Sequence, residues 1–171
     1  MSEGWVYVGG TFDLFHAGHI QFLSQCSQYG KVVVALNADN FSARYKRRPI
    51  LSLDERKSAV EACRFVDDVV TNVGNENSAM TIDSLAHPIK YIAHGDDWTG
   101  KSLMAQLGID QKWLDFRGIE MLYIPYTSGI STSDIIGRVR GDVHSSCDCS
   151  QERGSNDPNG CCSPLPDQTT K

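Results

Sequence analysis

The chain has 171 residues, enough for one globular domain with a continuous core. Its 40 % hydrophobic content is ordinary for a folded protein, and its net charge of −5 argues against a general nucleic-acid binder, which would normally be basic. No apolar run approaches the roughly 20 residues that span a bilayer, and the first residues lack the basic and apolar blocks of a signal peptide. We therefore expect a cytoplasmic location, no membrane span and no nucleic-acid partner.

Two regions differ in composition. Residues 1–140 alternate apolar runs with amphipathic runs, whereas residues 141–171 are dominated by small and polar types. This composition predicts a catalytic domain at 1–140 and a disordered tail at 141–171. Cys26 and Cys63 fall in helix-like apolar segments and are expected in the core. The four tail cysteines match neither the usual zinc spacing nor a secreted disulfide framework, so we predict no protein-bound metal.

Apolar periodicity predicts the elements in chain order. Lys31 to Leu36 is nearly all apolar and β-branched, as a parallel strand buried on both faces requires. Ser52 or Asp54 is a candidate helix N-cap. The elements are a strand at 5–8, a helix at 19–29, a strand at 31–36, a polar loop at 37–51, a helix at 52–65, a strand at 66–71, a helix at 78–86, a strand at 91–93, two helical pieces within 101–118, a strand at 119–124 and a helix at 131–139.

The regular alternation of strands and helices predicts an α/β fold. We expect a Rossmann-like, doubly wound, parallel five-stranded sheet with helices on both faces. In such sheets ligands bind at the carboxyl ends of the strands. Candidate site residues are therefore sought just after strands one, four and five.

The segment after strand one reads Gly9-Gly10-Thr11-Phe12-Asp13-Leu14-Phe15-His16-Ala17-Gly18-His19. Its glycines allow the backbone to approach a phosphate closely. If the helix has begun by then, two histidines three residues apart lie on one face near its positive end. This arrangement is suited to a triphosphate.

This segment resembles the G-x-F-D-x-x-H-x-G-H signature of the cytidylyltransferase-like nucleotidyltransferase superfamily, and most of all its glycerol-3-phosphate cytidylyltransferases. The resemblance covers about residues 5–140. It implies transfer of CMP from CTP to a phosphorylated alcohol, with release of pyrophosphate. It also implies Mg²⁺ bound with CTP, a homodimer, His16 and His19 as catalytic residues, and nucleotide contacts from Gly10, Thr11, Phe12, Asp13 and Gly18.

A basic cluster at 44–48 stands out in an acidic protein. Its spacing to the following Asp-Glu-Arg resembles the family pattern, which implies Lys46 as a catalytic residue and Arg47 as a second contact. Arg56 and Arg64 match the family's E-R and R-x-V-D patterns. They lie eight apart, on similar faces of one predicted helix, and the resemblance implies that they bind substrate.

Two later segments complete the predicted site. Gly95, Asp96, Asp97 and Trp98 follow strand four, and the resemblance implies that they contact the nucleoside. Thr127 lies just before the last helix, which opens with the run Gly129-Ile130-Ser131-Thr132-Ser133. Hydroxyls and free N–H groups at a helix N-terminus can form an anion site. The match of this run to the family's G-I-S-T-T implies contacts with the β- and γ-phosphates.

Two departures from the family pattern leave the acceptor open. Relatives carry an arginine where this chain has Tyr126, so Arg44, Arg47 or Arg48 takes its place or the acceptor differs. The stretch 101–118 is also longer than in glycerol-3-phosphate enzymes. Ethanolamine phosphate, phosphocholine, a phosphonate, or ATP with a sugar phosphate are alternatives within the superfamily. A non-catalytic nucleotide-binding protein is an alternative of another class, whereas an NAD-binding domain would need a G-x-G-x-x-G opening.

Overall fold

The structure is a computed structural model that describes residues 4–45, 47–73, 77–96, 101–125 and 127–141. Its strands are β1 (Trp5–Gly10), β2 (Lys31–Leu36), β3 (Asp68–Thr71), β4 (Ile89–Gly95) and β5 (Glu120–Ile124). Its helices are α1 (Ala17–Cys26), α2 (Asp39–Tyr45), α3 (Leu53–Glu61), α4 (Ser78–Ser84), α5 (Lys101–Leu107), α6 (Gln111–Arg117) and α7 (Thr132–Arg140). The strands form one parallel sheet in the order β3-β2-β1-β4-β5.

Alternate residues of β1 supply two separate cores, one on each face of the sheet. Val6 and Val8 pack in a cluster with Leu23 of α1 and Val60 of α3. Tyr7, on the opposite face, packs in a cluster that includes residues of α4 and α6. The predicted doubly wound α/β fold is therefore confirmed.

The predicted β2 is confirmed residue for residue, but the interval 37–51 is not all loop. It contains the short helix α2. Phe41 and Ser42 of this helix are buried, although the segment around them is mostly polar. The helix predicted at 52–65 begins where expected, because Ser52 caps it and accepts a hydrogen bond from the Glu55 N–H. It ends at Glu61, and β3 begins only at Asp68.

The order of the strands positions the site. The chain moves from β1 to β2 and β3 on one side and returns to β4 and β5 on the other. This reversal leaves a crevice at the carboxyl end of β1, where ligands of such sheets bind. Within the described ranges, no helix is both long and apolar enough to cross a membrane. The predicted tail lies outside the described residues, apart from Gly141, which ends α7 in a left-handed conformation.

Candidate active site

A cavity of about 440 Å³ opens at the carboxyl edge of the sheet. Every strand contributes to it at or just beyond its end: Gly10 in β1, Asn37 after β2, Asn72 after β3, Gly95 in β4 and Pro125 after β5. The cavity therefore lies at the edge of the sheet where the topology predicts a ligand site.

Most of the predicted site residues that the structure describes line this cavity. They are Gly10, Thr11, Phe12, Asp13, His16, Gly18, His19, Arg47, Gly95, Thr127, Ile130, Ser131, Thr132 and Ser133. Gly129, Asp96, Arg56 and Arg64 do not belong to its wall. The predicted Lys46, Asp97 and Trp98, and the divergent Tyr126, lie outside the described residues.

The turn between β1 and α1 has an unusual backbone. Phe12 and Leu14 are not glycines, yet both adopt left-handed angles, with φ of 51° and 49°. Gly10 is needed here because a Cβ at that position would lie 2.8 Å from a carbon of the Phe12 ring. Beyond this turn, His16 and His19 line the cavity.

Asp13 fixes this turn to the segment before α3. Its buried carboxylate accepts hydrogen bonds of 3.0–3.1 Å from the backbone N–H groups of Ile50 and Leu51, and it pairs with Arg47 at 2.8 Å. Burial by itself raises the pKa of Asp13, but the two amides and the Arg47 guanidinium outweigh it and lower that pKa. Asp13 thus holds Arg47 at the cavity wall as an ionised anchor.

His16 is the N-cap of α1. Its Nδ1 accepts a hydrogen bond from the Gly18 N–H at 3.1 Å, so its Nε2 faces the other way and lies 3.5 Å from the Thr132 hydroxyl. Burial lowers the pKa of His16, and the Asp134 carboxylate opposes this shift.

His19 completes a capping box with His16. Its Nδ1 accepts a hydrogen bond from the His16 N–H at 3.4 Å, and the two rings stack with centroids 3.8 Å apart. Burial, reinforced by the His16 ring, lowers the pKa of His19 to about 3, against an opposing effect of Asp13.

The capping box therefore fixes the protonation state of both rings. A nitrogen that accepts from a backbone N–H carries no proton, so each neutral ring must hold its proton on Nε2. Both imidazoles consequently present an N–H donor from the ring nitrogen that the cap leaves unused.

This assignment makes a direct prediction for the free protein. We expect nitrogen chemical shifts of the imidazole rings to show the Nε2–H tautomer for His16 and His19 at neutral pH. Because burial disfavours the charged ring, His19 should not titrate between about pH 8 and pH 5. An Nδ1–H tautomer at either cavity histidine would contradict the assignment.

The start of α7 lies beside His16 in the cavity wall. Ser131 is the N-cap, accepting from the Asp134 N–H at 3.1 Å and donating to the Asp134 carboxylate at 2.7 Å. The Thr132 hydroxyl donates to the Asp13 carbonyl at 3.1 Å, which ties α7 to the turn after β1. A Cβ at Gly18 would lie 3.3 Å from the Ile130 side chain, so a glycine allows α1 and this loop to approach.

The prediction that Arg56 contacts substrate is wrong for this structure. Its side chain is fully buried, and the guanidinium donates to three carbonyls and to the Asp39 carboxylate. Two of these carbonyls belong to Thr11, in the turn after β1, and to Asn37, after β2. Arg56 therefore joins the backbone segments beneath the cavity and is not part of the cavity wall.

Arg64 is also misplaced by the sequence prediction. Because α3 ends at Glu61, Arg64 is not on that helix; it is exposed, and its guanidinium lies 5.6 Å from the centre of the Phe65 ring. It precedes β3, at the amino edge of the sheet, whereas the cavity lies at the carboxyl edge.

Several cavity residues were not predicted. Asn37, Asn72 and Ser78 follow β2 and β3, strands whose ends the sequence analysis did not search. A signal for the two asparagines existed, since each directly follows its strand. Leu103 and Leu107 of α5 also line the cavity, so the long stretch 101–118 contributes to its wall.

Comparison with known proteins agrees with this geometry. The family model described as cytidylyltransferase-like matches residues 7–138. Glycerol-3-phosphate cytidylyltransferase of Bacillus subtilis is 35% identical over 133 residues, which cover 77% of this chain and 94% of that protein. Ethanolamine-phosphate cytidylyltransferase of Dictyostelium discoideum is 32% identical over 139 residues, covering 78% of this chain and 36% of that protein.

A solved structure supports the fold independently. The lipopolysaccharide core biosynthesis protein from Thermoplasma volcanium superposes with a TM-score of 0.57 at 21% identity, over 74% of this chain and 98% of that one. Since the family model spans most of the chain, and the cavity lies where its signature segment places the two histidines, the chain belongs to the cytidylyltransferase-like family.

Proposed function

We propose that this protein transfers CMP from CTP to glycerol 3-phosphate and releases pyrophosphate. One observation carries the proposal: two helix N-termini and two imidazole Nε2–H groups converge on one cavity beside a glycine turn. α1 contributes His16, Gly18 and His19, and the start of α7 contributes Ser131 and Thr132. Helix N-termini attract anions, so this wall is suited to a triphosphate even in a protein of net charge −5.

The chemistry we propose needs no covalent enzyme intermediate. An oxygen of the acceptor phosphate attacks the α-phosphorus of CTP in line; a new P–O bond forms as the bond to pyrophosphate breaks. The nucleophile is already an anion, so no base is required. The Nε2–H groups of His16 and His19 donate to the phosphate oxygens on which charge accumulates, and they do so as neutral rings.

Arg47 is the described arginine of the basic cluster that lines the cavity. Its pairing with Asp13 keeps the guanidinium beside the turn after β1, with 39% of the side chain exposed. We propose that Arg47 supplies the phosphate contact that relatives take from the arginine at the position of Tyr126. Lys46 stays a proposed second cation next to it.

Mg²⁺ fits this site as a partner of the nucleotide. The described residues contain no group of three His, Cys, Asp or Glu side chains that could hold a metal ion, and the Asp13 carboxylate is already occupied. Mg²⁺ in nucleotide sites is commonly held by phosphates and water. We propose that it enters with CTP and neutralises phosphate charge.

We further propose that the protein is a homodimer and that it acts in the cytoplasm.

Pyrophosphate release tests the reaction. We expect release with CTP and glycerol 3-phosphate, at a kcat/KM at least about tenfold above that for phosphoethanolamine, phosphocholine or a phosphonate. ATP with a sugar phosphate, in the same assay, tests the alternative nucleotide. No release with any pair would reject the proposed function, and a preference for ATP would reassign it within the superfamily.

A further inference from the structure

One part of the cavity wall consists of uncharged polar side chains on the β2–β3 side of the sheet. Asn37 follows β2, Asn72 follows β3, and Ser78 opens α4. All three line the cavity, and Asn72 and Ser78 are only 5% and 3% exposed. We call these three residues the amide–hydroxyl wall.

A hydrogen-bond relay fixes the orientation of both amides. The Val73 N–H donates to the Thr81 hydroxyl, and that hydroxyl donates to Asn72 Oδ1. Asn72 Nδ2 must then be the donor, and it binds Asn37 Oδ1 at 3.0 Å. The relay therefore leaves the Nδ2 of Asn37 as the group at the cavity end, without a partner among the described residues.

The Ser78 hydroxyl is the second polar group of the amide–hydroxyl wall. Behind it lies Tyr7, whose fully buried hydroxyl has no partner in hydrogen-bonding geometry within the described ranges, although Ser78 and Thr81 lie beside it. Buried polar groups are normally paired, and each unpaired one costs about 1–3 kcal/mol. The wall thus offers a hydroxyl and an amide N–H to a ligand.

The position of this wall suggests which ligand it meets. In the sheet order β3-β2-β1-β4-β5, the wall belongs to β2 and β3, whereas α7 follows β5 at the other end. In-line displacement requires nucleophile and leaving group on opposite sides of phosphorus. If pyrophosphate is held by α1 and α7, the acceptor enters from the amide–hydroxyl wall.

We propose that the amide–hydroxyl wall binds the hydroxyl groups of a phosphorylated polyol acceptor, while Leu103 and Leu107 of α5 cover its carbon chain. This inference rests on the proposed function and identifies the acceptor class for the same site. Neutral hydroxyls both donate and accept, so they satisfy Asn37 and Ser78 without burying a charge. A trimethylammonium or ammonium group could not pair with the Asn37 N–H.

The first test asks whether the effect of replacing Ser78 on kcat/KM requires hydroxyl groups on the acceptor. In the full-length protein, Ser78→Ala should lower kcat/KM for glycerol 3-phosphate about tenfold, the typical loss of one hydrogen bond. With propyl phosphate, which lacks the hydroxyls, the same substitution should change kcat/KM less than about twofold. An equal loss with both acceptors would overturn the inference.

The second test changes the acceptor preference. Asn37→Asp keeps the oxygen that accepts from Asn72 but replaces the N–H donor with a second anionic oxygen. It should lower kcat/KM for glycerol 3-phosphate and raise it for phosphoethanolamine, shifting their ratio by about tenfold or more. An unchanged ratio would count against the wall as an acceptor site.

Met80→Ala is the matched control, because Met80 lies on α4 and is 57% exposed. This substitution should leave kcat/KM unchanged for glycerol 3-phosphate, propyl phosphate and phosphoethanolamine. If Ser78→Ala and Asn37→Asp instead raise the KM for CTP and leave the acceptor KM unchanged, the wall belongs to the nucleotide and the inference is wrong. Absence of turnover in the unsubstituted protein would instead reject the proposed function itself.

Discussion

Replacing His16 or His19 should reduce turnover of CTP by about 10²–10³, the usual consequence of removing one preorganised donor to a developing oxyanion. Both rings line the cavity, and the capping box turns the Nε2–H of each away from the backbone. The loss should appear mainly in kcat, because the donors act on charge that grows in the transition state. Pyrophosphate release under saturating CTP measures it.

The choice of substitution separates catalysis from folding. His16→Ala also removes the N-cap of α1, which typically costs about 1 kcal/mol of stability. His16→Asn retains a capping oxygen while removing the Nε2–H, so it should be as inactive as the alanine variant but closer to the wild type in unfolding free energy. Near-normal turnover in the asparagine variant would exclude the proposed role of the ring.

A histidine outside the cavity provides the control. His87 pairs with Asp68 at 2.7 Å and stacks on Trp5 with centroids 3.8 Å apart. It lies at the amino edge of the sheet, so His87→Ala should keep turnover within about twofold of the wild type. A comparable loss in His87→Ala would point to general destabilisation instead of chemistry.

Arg56→Met should lower the free energy of unfolding by about 3–5 kcal/mol, because it removes a fully buried guanidinium and leaves several acceptors without their donor. The methionine fills similar volume but leaves the Asp39 carboxylate and the Thr11, Asn37 and Leu51 carbonyls without their donor. Urea denaturation of both proteins at one pH measures the difference.

Lys57→Ala is the control for this prediction. Lys57 is the next residue on α3, and its ammonium is 3.7 Å from Glu61 on the surface. An exposed ion pair of this kind contributes less than about 1 kcal/mol to the free energy of unfolding, so Lys57→Ala should lower it by no more than that. A loss below about 1 kcal/mol in Arg56→Met as well would show that the guanidinium network contributes little to stability.

The sequence predicted the parts of the site that depend on local order. The apolar run of β2 and the glycines and histidines after β1 carry their structure in adjacent residues, and each lies where it was expected. The topology followed from the alternation of strands and helices. For this reason the sequence alone indicates the carboxyl edge of the sheet as the place for a ligand.

The errors concern contacts between distant residues. Arg56 matches a family pattern, yet its partners are backbone carbonyls up to 45 positions away, and a carbonyl leaves no trace in side-chain identity. α2 was missed because it buries only one face of a polar segment, chiefly through Phe41. Neither the hydrogen bonds of Arg56 nor the burial of Phe41 follows a periodicity or a residue spacing that can be recognised in the sequence.

The amide–hydroxyl wall is an intermediate case. Asn37 and Asn72 each follow a strand, so their common edge was predictable. Their mutual hydrogen bond was not, because it depends on the side-by-side pairing of β2 with β3 in the sheet. The register that aligns Leu36 with Thr71 brings the two asparagines together.

The left-handed backbone at Phe12 and Leu14 has a consequence for binding. Such angles cost a non-glycine residue about 1–2 kcal/mol, so the conformation persists only where surrounding contacts impose it. Here Asp13 and the Thr11 carbonyl supply those contacts from within the protein alone. These contacts do not depend on a ligand, so the proposed triphosphate site is preorganised, and nucleotide binding need not supply the energy that forms the turn.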